Sequence, residues 1–169
     1  WKVPGMSVAI VKDGKVVMAS GYGVRETGKK KKTNENTLYA IASNTKAFIS
    51  ASLAHLVWEG KISWDDKVIE HLPYFELYDA YATRETTIRD LLSHRVGLGT
   101  FSGDVIWYKS SYTAEQTVRH AKFVPQAYSY RAGYGYSNLM FIAAGEVIES
   151  VTGMPWDEFI KTHFFSPLE

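Results

Sequence analysis

The chain has 169 residues, which suits one domain or most of one. Apolar residues make up 46%, charged residues 22%, and the net charge is +1, so no strong field points to nucleic acid or to an anionic membrane. Cysteine is absent, which excludes disulfides and thiolate metal sites, and no apolar run approaches the ~20 residues needed to span a bilayer.

The chain opens at Trp1 without a signal-peptide pattern, and the missing initiator Met implies that an upstream stretch was removed. Met6 to Val11 and Val16 to Val24 are apolar and extended in style. Asp13-Gly14 lies between them, and both residues of that dipeptide suit the positive φ of a tight hairpin turn. Gly21-Tyr22-Gly23 predicts a strand with close backbone neighbours. Lys29 to Lys32 form the only charge run, read as a solvated loop tip.

From Asn44 to Glu59 the pattern becomes helical, with Ala47, Phe48, Ala51, Leu56 and Val57 as the buried face and Gly60 as the stop. Ser63-Trp64-Asp65-Asp66 predicts a capped short helix, and Thr87 to Ser93 another. Thr113 caps a helix expected to run to about Lys122. Asn138 to Val151 reads as an amphipathic helix with Leu139, Ile142, Val147 and Ile148 inward and Gly153 as its stop. Pro155 starts a last helix through His163. Two strands against five or six helices is an imbalance, because a lone two-stranded sheet is marginal in water.

Two short motifs carry chemistry. Ser43-Asn44-Thr45-Lys46 places a hydroxyl and an amine three residues apart, on one face of a helix start. A serine hydroxyl becomes a useful nucleophile when an adjacent base takes its proton, and a lysine serves only where its surroundings favour the neutral amine. The bland alternative makes Ser43 an N-cap and Lys46 a solvated lysine. The apolar flanks Tyr39 to Ala42 and Ala47 to Ile49 argue against it. Tyr136-Ser137-Asn138 is the second motif, again at a helix start. A phenol near cations can move protons, and an amide can both donate and accept. Its alternative is a buried tyrosine and an N-cap asparagine.

Tyr39 to Lys46 resembles the nucleophile motif of the serine β-lactamase-like, penicillin-binding family, and Tyr136-Ser137-Asn138 resembles its Y-x-N motif. That family includes class C β-lactamases, D-alanyl-D-alanine carboxypeptidases, D-aminopeptidases and some esterases. Val3-Pro4-Gly5, the Gly60 to Val68 segment, Ile88 to His94 and the closing Pro167-Leu168 also fit, so the resemblance covers essentially the whole chain. It implies an α+β, β-lactamase/transpeptidase-like fold: an antiparallel sheet flanked by a helical region, the site in the cleft between. It implies a single incomplete domain over 1–169, with N-terminal strands in 1–36, a mainly helical region in 37–169, and the later sheet strands missing. Ser43 would form the acyl-enzyme, Lys46 would deprotonate it, Tyr136 would relay protons, and Asn138 would orient the substrate amide. No cofactor or metal is expected. The expected substrate is a β-lactam, a D-amino-acid peptide or a small ester, and the implied location is extracytoplasmic (periplasmic or secreted) in bacteria. The alternative function is a catalytically silent relative that binds peptidoglycan fragments or a partner protein.

Three departures stand out. His94-Arg95-Val96-Gly97-Leu98 replaces the family's usual His-Thr-Ser-Gly-Leu, with two hydroxyls lost. Arg131-Ala132-Gly133 stands where Pro-Gly is common. The family's later K-T-G or H-x-G strand has no counterpart before Glu169, which implies a truncated polypeptide whose open sheet edge offers a self-association surface. None of the five histidines has the spacing of an H-E-x-x-H metal helix, so each is read as a core-edge or surface residue. Trp107, Tyr108 and Tyr112 suit either a substrate groove or packing.

Overall fold

A computed structural model describes residues 2–168. The chain divides into two compact units, Trp1–Ala42 and Ser43–Glu169.

The first unit is built on a hairpin. Strands β1 (Gly5–Lys12) and β2 (Lys15–Gly23) pair antiparallel from Gly5 opposite Gly23 to Lys12 opposite Lys15, with an irregularity at Ile10/Val11. Asp13 (φ 51°) and Gly14 (φ 71°) make the two-residue turn, the left-handed pair that matches the twist of the strands. Gly21 is required by a close approach: a Cβ there would collide with the backbone of Thr33 and Asn34. The Thr33 hydroxyl donates to Tyr22 O, and the Ser7 hydroxyl to Asn34 O, which ties the returning segment to the hairpin. Lys29 to Lys32 are exposed, as a solvated tip requires. Val11, Val16 and Val17 are exposed too, and among the described residues the sheet has these two strands.

The second unit is helical. Its elements are α1 (Thr45–Trp58), α2 (Val68–His71), α3 (Ala80–Glu85), α4 (Ile88–Ser93), α5 (Asp104–Trp107), α6 (Ala114–Arg119), α7 (Asn138–Thr152) and α8 (Trp156–Ile160). Helix α7 is the hub and packs against α1, α2, α4, α5, α6 and α8. Leu139, Met140, Ala143, Ala144, Val147 and Ile148 of α7 are buried in one core with Leu53 and Leu56 of α1, Val68, and Ile88 and Leu91 of α4. That core uses small residues at 143–145 to admit close neighbours. Gly145 lies against the Trp156 ring, where a Cβ would be 3.0 Å from the nearest ring atom.

The helix signals hold where caps are explicit. Thr87 and Thr113 each form a reciprocal capping box, with Asp90 and Gln116. Gly153 (φ 70°) ends α7 in the left-handed conformation, and Gly60 (φ 71°) follows α1. Ile142, expected inward, is only partly buried at the edge of the core. Other expectations need correction. The buried face of α1 is Ile49, Ser52, Leu53 and Leu56, while Ala47 is exposed. This helix is apolar almost all round, so its sequence period does not select a face. Ser63 to Asp66 form a turn, not a helix. The Ser63 N–H donates to the Asp66 carboxylate, and that side chain closes the loop before α2 begins. Helix α6 stops at Arg119 and tightens into a 3-10 turn over His120–Phe123. The last helix is regular only to Ile160 and widens to a π-turn over Lys161–Phe165. The N-cap of α7 is Ser137, whose hydroxyl accepts from the Met140 N–H, so Asn138 is free of capping duty.

Candidate active site

Ser43 lies in a 3-10 turn, Ala42–Asn44, that leads into α1. Ala42 directly before it has φ 45°, a left-handed conformation uncommon for a residue with a side chain. Three residues on, Lys46 sits in the first turn of α1 with its Nζ 3.4 Å from Ser43 Oγ. Helical spacing alone produces this neighbourhood.

Tyr136 and Asn138 arrive from the far end of the sequence. The Tyr136 hydroxyl is 2.7 Å from Ser43 Oγ, and Lys46 Nζ donates to Asn138 Oδ1 at 2.7 Å. Lys46 Nζ also lies 4.8 Å from the Tyr136 ring centroid and 5.3 Å from that of Phe141. All four residues singled out from the sequence therefore meet. Hydrogen bonding from Lys46, and secondarily from Ser43, holds the Tyr136 phenol below its ordinary pKa. A phenol so perturbed, touching a serine hydroxyl, can exchange a proton with it.

Two loops zip together to present Tyr136. The Phe101 N–H donates to Tyr136 O, the Gly135 N–H to His94 O, and the Ala127 N–H to Gly97 O. Gly135 has no room for a side chain, because a Cβ would strike Leu98 O. His94, in the left-handed conformation (φ 59°) at the end of α4, accepts the Ser137 N–H at its Nδ1 (3.0 Å). Its ring lies against those of Tyr136 (4.7 Å between centroids) and Phe141 (5.3 Å). Burial, with a smaller contribution from Lys46, lowers the His94 pKa and keeps the ring neutral, as acceptance at Nδ1 requires. The loop over Arg95 and Val96 is held by backbone bonds, with the Arg131 N–H donating to Arg95 O, and by Gln126, whose amide donates to Val96 O.

Arg131, where Pro-Gly was expected, takes a left-handed conformation (φ 60°) and forks onto Asp90 at 2.8 and 2.6 Å. Thr87 and Tyr130 also donate to the Asp90 carboxylate, at 2.7 Å each. Burial pushes that carboxyl up, yet Arg131, Thr87 and Tyr130 together outweigh it and hold the pKa at about 2. This pair anchors the 126–137 loop to α4.

A cleft of about 310 Å³ opens beside Lys46 and Asn138, walled by Trp107, Tyr112, Phe141, Ile142 and Trp156. Trp107 and Tyr112 therefore line this groove, and Tyr108 lines a neighbouring one with Asp104, Trp107 and Asn138. Sequence reasoning missed Asp104, whose carboxylate accepts from both Asn138 Nδ2 (2.9 Å) and Trp107 Nε1 (3.0 Å). No short motif surrounds it, and only the fold reveals its neighbours. No group of acidic and histidine side chains suited to a metal occurs among the described residues, and none of their helices is long and apolar enough to cross a membrane.

The whole chain, residues 1–169, matches the family model described as Beta-lactamase. Protein flp of Staphylococcus aureus is 32% identical over 171 residues, which are 99% of this chain and 34% of that protein. The octameric penicillin-binding protein homologue from Pyrococcus abyssi superposes with a TM-score of 0.85 at 29% identity, over 99% of this chain and 39% of that one. A D-amino acid amidase from Ochrobactrum anthropi gives a TM-score of 0.80 at 30% identity, over 99% and 45%. The chain thus spans less than half the length of these relatives. The chain belongs to the beta-lactamase family and has its β-lactamase/transpeptidase-like fold.

Proposed function

We propose that the native protein is a serine hydrolase that works through an acyl-enzyme on Ser43. The contact of Ser43 Oγ with the Tyr136 hydroxyl at 2.7 Å carries this reading. Lys46 Nζ is farther from Ser43, at 3.4 Å, so Tyr136 in its phenolate form takes the serine proton and Lys46 holds the phenolate. The Ser43 oxygen bonds to the substrate carbonyl carbon, and the carbonyl π pair moves to its oxygen. As that carbonyl re-forms, the leaving nitrogen or oxygen departs with the proton from Tyr136. Water then adds to the acyl carbon, gives its proton to the Tyr136 oxygen, and Ser43 leaves with that proton.

Asn138 keeps one Nδ2 proton free of Asp104, and that proton is available to a substrate carbonyl. The substrate class is an acyl compound: a β-lactam, a D-amino-acid amide or peptide, or a small ester. Kinship with a D-amino acid amidase supports this range, and the aromatic cleft beside Lys46 suits an apolar substituent. An extracytoplasmic bacterial location belongs to the same reading.

Intact mass after exposure to a penicillin and, separately, a fluorophosphonate tests it. An adduct on the native protein that disappears in Ser43→Ala is expected. No adduct with either reagent would leave the silent, ligand-binding relative as the better description.

A further inference from the structure

The amide of Asn138 has two ends of nearly the same shape, one that only accepts and one that only donates. Which end faces Lys46 decides whether the two can bond at all. In this site the end facing Lys46 is the oxygen, at 2.7 Å from Nζ. The nitrogen end faces Asp104, 2.9 Å from its Oδ2. A carboxylate has no proton to give, so it can face only the NH₂ end of an amide.

We infer that Asp104 is the positioning residue that locks the Asn138 amide with its oxygen toward Lys46, and Lys46 thereby within reach of Ser43. The lock is built from packing. Gly103 adopts φ 81°, and a Cβ there would meet Leu139 and Val124 side chains at 3.1 Å, so this turn sits directly against the start of α7. Asp104 opens α5 one residue later, beside Asn138, the first residue of α7. The other carboxylate oxygen of Asp104 accepts from Trp107 Nε1 one helical turn on, which fixes the rotation of the carboxylate itself. Trp107 also walls the cleft, so the group that orients the amide also holds one side of the groove. A flipped amide would set its oxygen against the carboxylate and its NH₂ against a donor, losing both bonds. Among the described residues Asp104 hydrogen-bonds to neither Ser43 nor Tyr136; its charge also acts weakly through space on the Tyr136 phenol, so the amide of Asn138, and not the rate alone, reports the lock.

The kinetic consequence rests on the acyl-transfer reading above; the amide orientation does not. The test therefore has two arms in the native protein. In the first, the side-chain amide of Asn138 is followed by ¹⁵N NMR, its resonance identified by its loss in Asn138→Ala. Protection from exchange of the one Nδ2 proton bonded to Asp104 is expected in the wild type and loss of it in Asp104→Asn, with no change in the remote control Glu76→Gln. In the second, the rate of Ser43 labelling by a fluorophosphonate is measured in a double-mutant cycle. Asp104→Asn is expected to slow labelling about tenfold, the order of one charge-assisted hydrogen bond. It should slow it no further in an Asn138→Ala background. An Asn138 amide indifferent to Asp104→Asn overturns the inference whatever the activity. So does full additivity in the cycle. A wild type that is not labelled at all sinks the acyl-transfer reading alone, since the amide resonance still reports the lock.

Discussion

The Tyr136 hydroxyl stands 2.7 Å from the Ser43 hydroxyl, although the two residues are 93 positions apart in the chain. Each group reaches that point from a helix start, Ser43 from the turn before α1 and Tyr136 from the residues before α7. The helices converge because their apolar faces share one core, in which Ile49 and Leu53 of α1 and Leu139, Met140, Ala143, Ala144, Val147 and Ile148 of α7 are buried. Hydrophobic burial therefore sets the distance between the two hydroxyls, and polar contacts refine it.

Removing the phenol oxygen tests whether it moves the proton. Tyr136→Phe keeps the ring that packs on His94 and Phe101 and loses the hydroxyl. Acylation measured by fluorophosphonate labelling is expected to slow by about 100- to 10,000-fold. Because Lys46 lowers the Tyr136 pKa, the ¹³C resonance of its ring ζ carbon should titrate below the ordinary value of 10.0, and Lys46→Met should move that midpoint up. A midpoint unmoved by Lys46→Met would remove Lys46 as the cause.

The Asp90–Arg131 pair makes a prediction about acid. Asp90 has a folded pKa of about 2 against an ordinary 3.8, so its contribution is present above 3.8 and is lost as pH falls from there through 2. That difference corresponds to about 2 kcal/mol. Arg131→Ala removes the counter-charge of the buried carboxylate, leaving Thr87 and Tyr130 as its donors, and is expected to cost about 3 kcal/mol near neutral pH. It should also flatten the fall in urea midpoint across that acid window. A variant with the wild-type acid profile would show that Arg131 does not set the Asp90 pKa.

His94 offers a separable pair of variants. With a folded pKa below the ordinary 6.5, its contribution to stability is complete above 6.5 and declines as pH falls through 6.5 toward the folded value. His94→Ala strands the buried Ser137 N–H and is expected to cost about 2 kcal/mol. His94→Asn supplies an oxygen near the place of Nδ1 and tolerates φ 59°, so it should recover part of that loss without the pH dependence. Thermal unfolding across mildly acidic pH checks both. Equal losses in the two variants would mean that ring packing, not acceptance from Ser137, is what His94 supplies.

Much of the local structure was legible in the residues. The Asp13-Gly14 turn, the Thr87 and Thr113 caps and the Gly153 stop depend on side chains within a few positions of each other, so their signals are short-range. The neighbourhood of Ser43 and Lys46 was legible for the same reason, three residues apart on one helical turn. The buried face of α1 was not, since a helix apolar on every side leaves the choice to whatever packs on it. Ser63 to Asp66 carried a capping signal that the chain used for a turn.

By itself, the sequence singled out Ser43, Lys46, Tyr136 and Asn138 and the helix starts that carry them. Only the tertiary structure decided that Tyr136, rather than Lys46, makes the shorter contact with Ser43. It alone decided that Arg131 answers Asp90 across 41 residues and that Asp104 orients Asn138 across 34. Those relations depend on side-chain directions at the ends of separate helices. No local spacing encodes them, because they follow from how the helices fill a common core.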